Sequence, residues 1–188
     1  MKIMGKILQL KIQLEGVKPT VWRRFLVPDS VTFSRLHDVT QKVMGWKNYH
    51  LYEFEAGNAR ISVPNEDLED IIDSKKIALS EIMKVERQKI RYTYDFGDSW
   101  EHIITVEKIM EKTDESSAVC VAGERACPPE DCGGIYGYEE LLEIKKNKNH
   151  KHYKEMIVEW LGEDFDPEKF ELEEVNKELQ GRRKKVLR

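Results

Sequence analysis

No stretch of this 188-residue chain approaches the roughly 18–20 consecutive apolar residues that a membrane span requires. The first residues, Met1-Lys2-Ile3-Met4-Gly5, pass straight into an alternating pattern. They lack the apolar core and small-residue cleavage site of a secretory signal, so the expected location is cytoplasmic. Cysteine is scarce: Cys120, Cys127 and Cys132 only. An odd number without an export signal argues against a disulfide framework. Excess positive charge is also missing, with a net charge of −4 and a pI of about 5.8, which argues against nucleic-acid binding over the whole surface. There is no HExxH string and no glycine-rich phosphate loop. No Ser-His-Asp or Cys-His pairing has supporting context, and no repeat stands at solenoid spacing.

What is present suits a single ordinary domain. Apolar residues make up 40% and charged residues 35%, enough for a real core beneath an unusually ionic surface. The expected division is one domain over residues 1–180 and a basic tail over 181–188. That tail holds Arg182, Arg183, Lys184, Lys185 and Arg188 without an acid. It reads as a solvated terminus, with phosphate contact as the alternative.

Leu8, Leu10, Ile12 and Leu14 alternate with polar residues, the period of a half-buried strand. Val21–Val27 reads as a second strand. Leu36, Val39 and Val43 recur at helical spacing ahead of Gly45, predicting a first helix over about 34–45. Residues 50–55 and 59–63 read as a hairpin across Gly57-Asn58. Residues 90–96 and 100–107 read as a second hairpin around Gly97-Asp98, with Asp95 opposite Trp100 and His102 opposite Thr93. Residues 111–135 read as a long ordered loop. Helices are expected over 138–146, about 150–161 and around Leu172–Leu179. Strands first and helices last predict an α+β fold: a mixed, mainly antiparallel sheet with one N-terminal helix and a helical C-terminal part, its opening order β-grasp-like.

Four segments together resemble a known family. They are Val21-Trp22-Arg23-Arg24; Leu36-His37 with Met44-Gly45-Trp46 and His50-Leu51-x-x-Phe54; Tyr94-Asp95-Phe96-Gly97-Asp98-x-Trp100-x-His102; and Cys127-Pro128-Pro129-Glu130-Asp131-Cys132-Gly133-Gly134 with Gly137-Tyr138. The chain resembles the plasmid pRiA4b open-reading-frame-three-like family, also known under a transposon-passenger, TnpR-like name, over about residues 6–180. The resemblance implies an association with mobile elements. It implies no reaction, and the arginine-rich serine site of a serine recombinase is missing.

Candidate sites follow from the residues. Asp95, Asp98 and His102 supply carboxylates and an imidazole at one turn, the ligand types for a divalent metal that activates water or polarises phosphate. The alternative is a turn in which Asp98 caps backbone amides. Cys120, Cys127 and Cys132, with His150 or His152, offer a Cys3His set for a structural zinc; the alternative is three small buried thiols. Arg23 and Arg24 point to opposite sides of a strand, so only Arg24 shares a face with Trp22. That pairing suits base stacking or phosphate, or else a cross-strand salt bridge. Glu130 and Asp131 belong to a turn and are available to Arg23 or Arg24. His37 lies on the helix face away from Leu36, Val39 and Val43.

Two functions compete. The first is a binding or adaptor domain for a nucleic-acid or protein partner, using Arg23, Arg24, Trp100, Glu130 and Asp131. The second is a metal-dependent phosphoesterase or nuclease using Asp95, Asp98 and His102. An enzyme of that kind needs Asp98 and His102 accessible and convergent.

Overall fold

A computed structural model describes residues 5–65, 70–111 and 117–181. The basic run from Arg182 to Arg188 lies outside the described residues. The elements are β1 (Lys6–Leu14), β2 (Trp22–Pro28), α1 (Phe33–Met44), β3 (Tyr52–Ala56), β4 (Ala59–Ser62), β5 (Ile71–Asp73), α2 (Leu79–Ile82), β6 (Lys89–Tyr94), β7 (Trp100–Glu111), β8 (Val119–Glu124), α3 (Gly134–Lys146), a π-helical turn (Lys154–Leu161) and α4 (Leu172–Leu179). The strands form one eight-stranded sheet in the order β5-β4-β3-β6-β7-β1-β2-β8. Every pairing is antiparallel except β4 with β5. The α+β class and the mainly antiparallel sheet agree with the sequence reading. The first helix is not N-terminal, because two strands precede it, and β1 is antiparallel to both its neighbours, with no β-grasp-like parallel pair. Among the described residues no helix is long and apolar enough to cross a membrane.

The period of two works as expected. Leu8, Leu10, Ile12 and Leu14 of β1, Ile90, Tyr92 and Tyr94 of β6, and Trp100, His102, Ile104 and Val106 of β7 are all buried. They meet Leu36, Val39 and Val43 of α1 in one core. The other side of the sheet is polar. There Arg24 forks onto Glu107 (2.5 and 2.9 Å), Gln9 donates to the same carboxylate, and Lys11 and Arg24 lie over the Trp22 ring at 4.9 and 5.2 Å.

Helix α1 begins where the Thr32 hydroxyl accepts the Arg35 N–H. It ends at Gly45, whose φ of 98° lets its N–H turn back to the Gln41 carbonyl. Its inward face is wider than the apolar spacing suggested. His37 is buried, stacked on Tyr52 at 3.6 Å between ring centroids. Gln41 Nε2 donates to the Tyr92 hydroxyl, which directs its own proton to His37 Nδ1. His37 Nε2–H then donates to Asn48 Oδ1. A polar network thus crosses the helix–sheet interface with its partners matched.

Two other expectations need correction. Tyr94 pairs with Trp100 and Tyr92 with His102, so the β6–β7 loop spans five residues. Asp95 accepts the Ser99 N–H on its carbonyl, and both residues take positive φ. Asp95 therefore belongs to the loop rather than to a strand face. Residues 111–135 are not one loop, since they contain the end of β7 and all of β8. The outer edge of β8 is covered by Asn176 of α4. Its amide accepts the Cys120 N–H and donates to the Cys120 carbonyl, both at 2.9 Å, in the manner of a neighbouring strand.

Burial lowers the pKa of both His37 and His102 to about 4, so both are neutral when folded. In the unfolded chain they titrate near 6.5. The unfolded state therefore binds more protons between about pH 6.5 and 4, and their contribution to stability is lost as pH falls through that window. Urea denaturation should show a loss of about 2 kcal/mol per histidine between pH 6.5 and 5. His102→Gln should flatten the profile by about half; equal slopes in both proteins would contradict this assignment.

Candidate functional site

Three loops meet at one end of the sheet. The first is 45–51, between α1 and β3. Trp46 donates its indole N–H to the Pro128 carbonyl (3.1 Å), the Lys47 amide donates to Glu130 Oε1 (2.7 Å), and the Asn48 amide donates to Gln41 Oε1 (2.9 Å). The Tyr49 amide donates to the Tyr94 hydroxyl, which itself donates to Glu130. These bonds fix the approach to His50. The second loop is 95–99. Here Asp95 Oδ1 accepts the Gly97 N–H in an Asx turn, and the Asp95 amide donates to the Leu51 carbonyl. The third is the Pro128–Gly133 turn, where Asp131 has a φ of 56°.

The convergence point is His50 Nε2. Asp131 Oδ1 lies 3.0 Å away, Asp95 Oδ2 3.6 Å and Glu130 Oε2 3.9 Å. Asp95 is 9% exposed at its side chain and Asp131 65%, so the cluster runs from the protein interior to solvent. Nε2 is itself shut off from solvent and makes no aligned hydrogen bond. Among the described residues no lysine or arginine forms a salt bridge with Asp95, Glu130 or Asp131. Burial pushes the Tyr94 hydroxyl well above its ordinary pKa, and the neighbouring Glu130 adds to this. It remains a protonated donor. Tyr49, Leu51 and Phe96 stand exposed around the cluster.

Only part of the predicted constellation assembles. Asp95 reaches the site, but Asp98 and His102 do not join it. Asp98 Oδ2 accepts the Gly133 N–H ahead of α3 (3.2 Å). His102 is fully buried and donates from Nδ1 to the Tyr92 carbonyl (3.2 Å). Trp100 is also fully buried and lines no surface. Arg23 is buried as well. It donates to the carbonyls of Trp22, Val43, Glu124 and Arg125 and stacks on Phe170 at 4.4 Å, so it is a clip between segments. Arg24 takes the cross-strand salt bridge. Glu130 and Asp131 face His50, not either arginine.

The cysteines form no metal-sized cluster among the described residues, although the Cys127 thiol lies near enough to Cys132 to interact with it. Cys120 is on β8, its thiol beside the Arg24 and Ala122 carbonyls. Cys132 sits beside the Gly134 carbonyl. His150 lies beyond α3, next to His152. Among the described residues, the group whose ligand atoms all lie within 4.8 Å of one another is His50, Asp95 and Asp131, with no thiol in it. Burial raises the pKa of all three thiols, that of Cys132 to about 12. The sequence reading missed His50 because its partners lie 45 and 81 positions away, at no motif spacing.

The glycines in the first turn of α3, just after the third loop, have a steric cause. A Cβ on Gly134 would stand 2.6 Å from the Asp98 carbonyl oxygen, and one on Gly137 only 1.9 Å from that of Cys132. Backbone is on the other side in both cases and cannot swing away. Gly137→Ala should cost about 2–4 kcal/mol and displace the Pro128–Gly133 turn. Unchanged urea denaturation would contradict this packing.

Comparison with known proteins extends the picture. The family described as "Plasmid pRiA4b ORF-3-like protein" matches residues 6–174. The chain is 35% identical over 178 residues to the uncharacterized protein y4hQ of Sinorhizobium fredii, covering 93% of this chain and 91% of that protein. It is 39% identical to the crystal structure of a protein of unknown function, MM3350 of Methanosarcina mazei, with a TM-score of 0.81. That match covers 90% of this chain and 97% of the other. The segments that build the loop face lie inside the family match, and the chain belongs to the plasmid pRiA4b ORF-3-like family.

Proposed function

We propose that the protein is a binding domain whose loop face takes a positively charged ligand. The observation that carries this reading is the convergence of Asp95, Glu130 and Asp131 on His50 with no lysine or arginine forming a salt bridge to them among the described residues. Ligand oxygens of Asp95 and Asp131 lie within 4.8 Å of one another, and like charges at that separation repel. A cation in their midst relieves that repulsion.

The groove that shares the 95–99 loop has the same character. It encloses about 520 Å³ and is lined by Glu15, Asp98, Glu101 and the open Tyr136. Arg91 partly neutralises it by pairing with Glu101 and Glu15. Phosphate would meet carboxylates at Asp95, Glu130 and Asp131, to which no lysine or arginine forms a salt bridge among the described residues. This favours a cationic ligand over nucleic acid, and with it the binding reading over a phosphoesterase. The hydrolytic reading needs Asp98 and His102 together, and the fold gives Asp98 to the Gly133 amide and buries His102 in the core.

Amide NMR spectra of labelled protein provide the test, with spermidine, arginine amide and a short DNA duplex as probes. The expected result is movement of the Lys47, Asp95–Gly97 and Asp131 amides with both cations, weakening as salt rises, and none with the duplex. Shifts produced by the duplex alone would overturn the proposal.

A further inference from the structure

The geometry points to a single divalent transition-metal ion, of the zinc or manganese class, bound by His50 Nε2, Asp95 Oδ2 and Asp131 Oδ1. This rests on the cation-binding reading above and narrows it to one chemical class.

A first-row divalent ion holds nitrogen and oxygen ligands at about 2.0–2.2 Å, so its ligand atoms stand roughly 3–3.5 Å from one another. His50 Nε2 lies 3.0 Å from Asp131 Oδ1 and 3.6 Å from Asp95 Oδ2, and all three ligand atoms fall within 4.8 Å of one another. Small side-chain movements suffice to close the site.

Two further features lift it above a chance meeting of acids. His50 Nε2 is sealed from solvent and has no aligned hydrogen-bond partner, although a carboxylate oxygen stands 3.0 Å away. A polar atom in that position carries a desolvation penalty unless something binds it. Asp95, nine-tenths buried, gives Oδ1 to the Gly97 amide and turns Oδ2 to His50. The Gly97 bond orients the carboxylate from behind, as outer partners orient metal ligands. Glu130, held by the Lys47 amide and the Tyr94 hydroxyl, adds negative charge without leaving its anchors.

The donor set also sets the preference among ions. One imidazole with carboxylates suits zinc or manganese, whereas magnesium and calcium prefer oxygen alone. Asp131 is the exposed member, so the solvent side of the ion stays open to water or an oxygen donor. Bound metal would join the 45–51, 95–99 and 128–133 loops, which no covalent link connects.

Isothermal titration calorimetry and thermal melts test this on the full chain, using zinc chloride, manganese chloride, magnesium chloride and arginine amide. The proteins are wild type, His50→Ala, Asp131→Asn and Cys127→Ser, each checked for fold by circular dichroism. The exposed Asp131 makes its variant safe if His50→Ala fails to fold. The expected result is one zinc per chain, tighter than magnesium, with a raised melting temperature. Affinity should fall at least about tenfold in His50→Ala and Asp131→Asn and stay unchanged in Cys127→Ser. Zinc binding that survives in the first two variants, or is lost in Cys127→Ser, would overturn the assignment. Arginine amide binding without metal binding would overturn the metal inference while the cation-binding reading stands. Binding of neither would remove both.

Discussion

The Tyr94 hydroxyl is the contact on which the loop face depends. Its ring is part of the core, tilted against Trp46 at 4.9 Å between centroids. Its oxygen lies at the boundary, accepting the Tyr49 amide and donating to Glu130. One side chain from the end of β6 therefore sets the height of two loops at once. The 95–99 loop starts from the next residue, Asp95. A tyrosine suits this position because it carries a large apolar body and a polar tip. Phenylalanine would fill the core equally well but leave the Tyr49 amide and the Glu130 carboxylate without their shared partner.

Behind that contact lies the His37–Tyr92–Gln41–Asn48 network. It explains how a polar row survives between a helix and a sheet. Each member has a partner, so the cost of burying polar groups is offset within the network. The same row reaches Asn48 and so supports the loop that carries His50. Core packing and site geometry are continuous here, which is why motif residues such as His37 and Trp46, buried behind the loops, still shape the face.

Much of this was legible from residue order. The alternation in β1, β6 and β7, the helix that stops at Gly45 and the turn at Gly57-Asn58 all follow from local rules, as do the opposed faces of Arg23 and Arg24. Local rules failed where a residue's partner was remote. The hairpin register slipped by one because Asp95 and Ser99 both take positive φ, which no alternation pattern encodes. Strand β8 was hidden because it carries little apolar alternation and is held by β2 and by the Asn176 amide. His50 stood out in the sequence only as one residue of a family motif and not as a ligand, since Asp95 and Asp131 approach it only once the sheet is assembled. The Asp98 and His102 pairing looked chemical in sequence because both sit near one turn. The fold directs one to the backbone ahead of α3 and the other into the core.

Charge organises the surface in two distinct ways. On the open side of the sheet, acids and bases are matched, with Arg24 on Glu107 and Arg91 on Glu101. At the loop end, among the described residues, the salt-bridge partner of the acids is an imidazole. The central claim is that this end is built to hold a cation through His50. Its most direct test is a scalar coupling between cadmium-113 and the imidazole nitrogens of nitrogen-15-labelled protein. The account predicts a one-bond splitting of the His50 Nε2 resonance and of no other histidine. Cadmium coupled at His150, or bound with no splitting at His50, would contradict it.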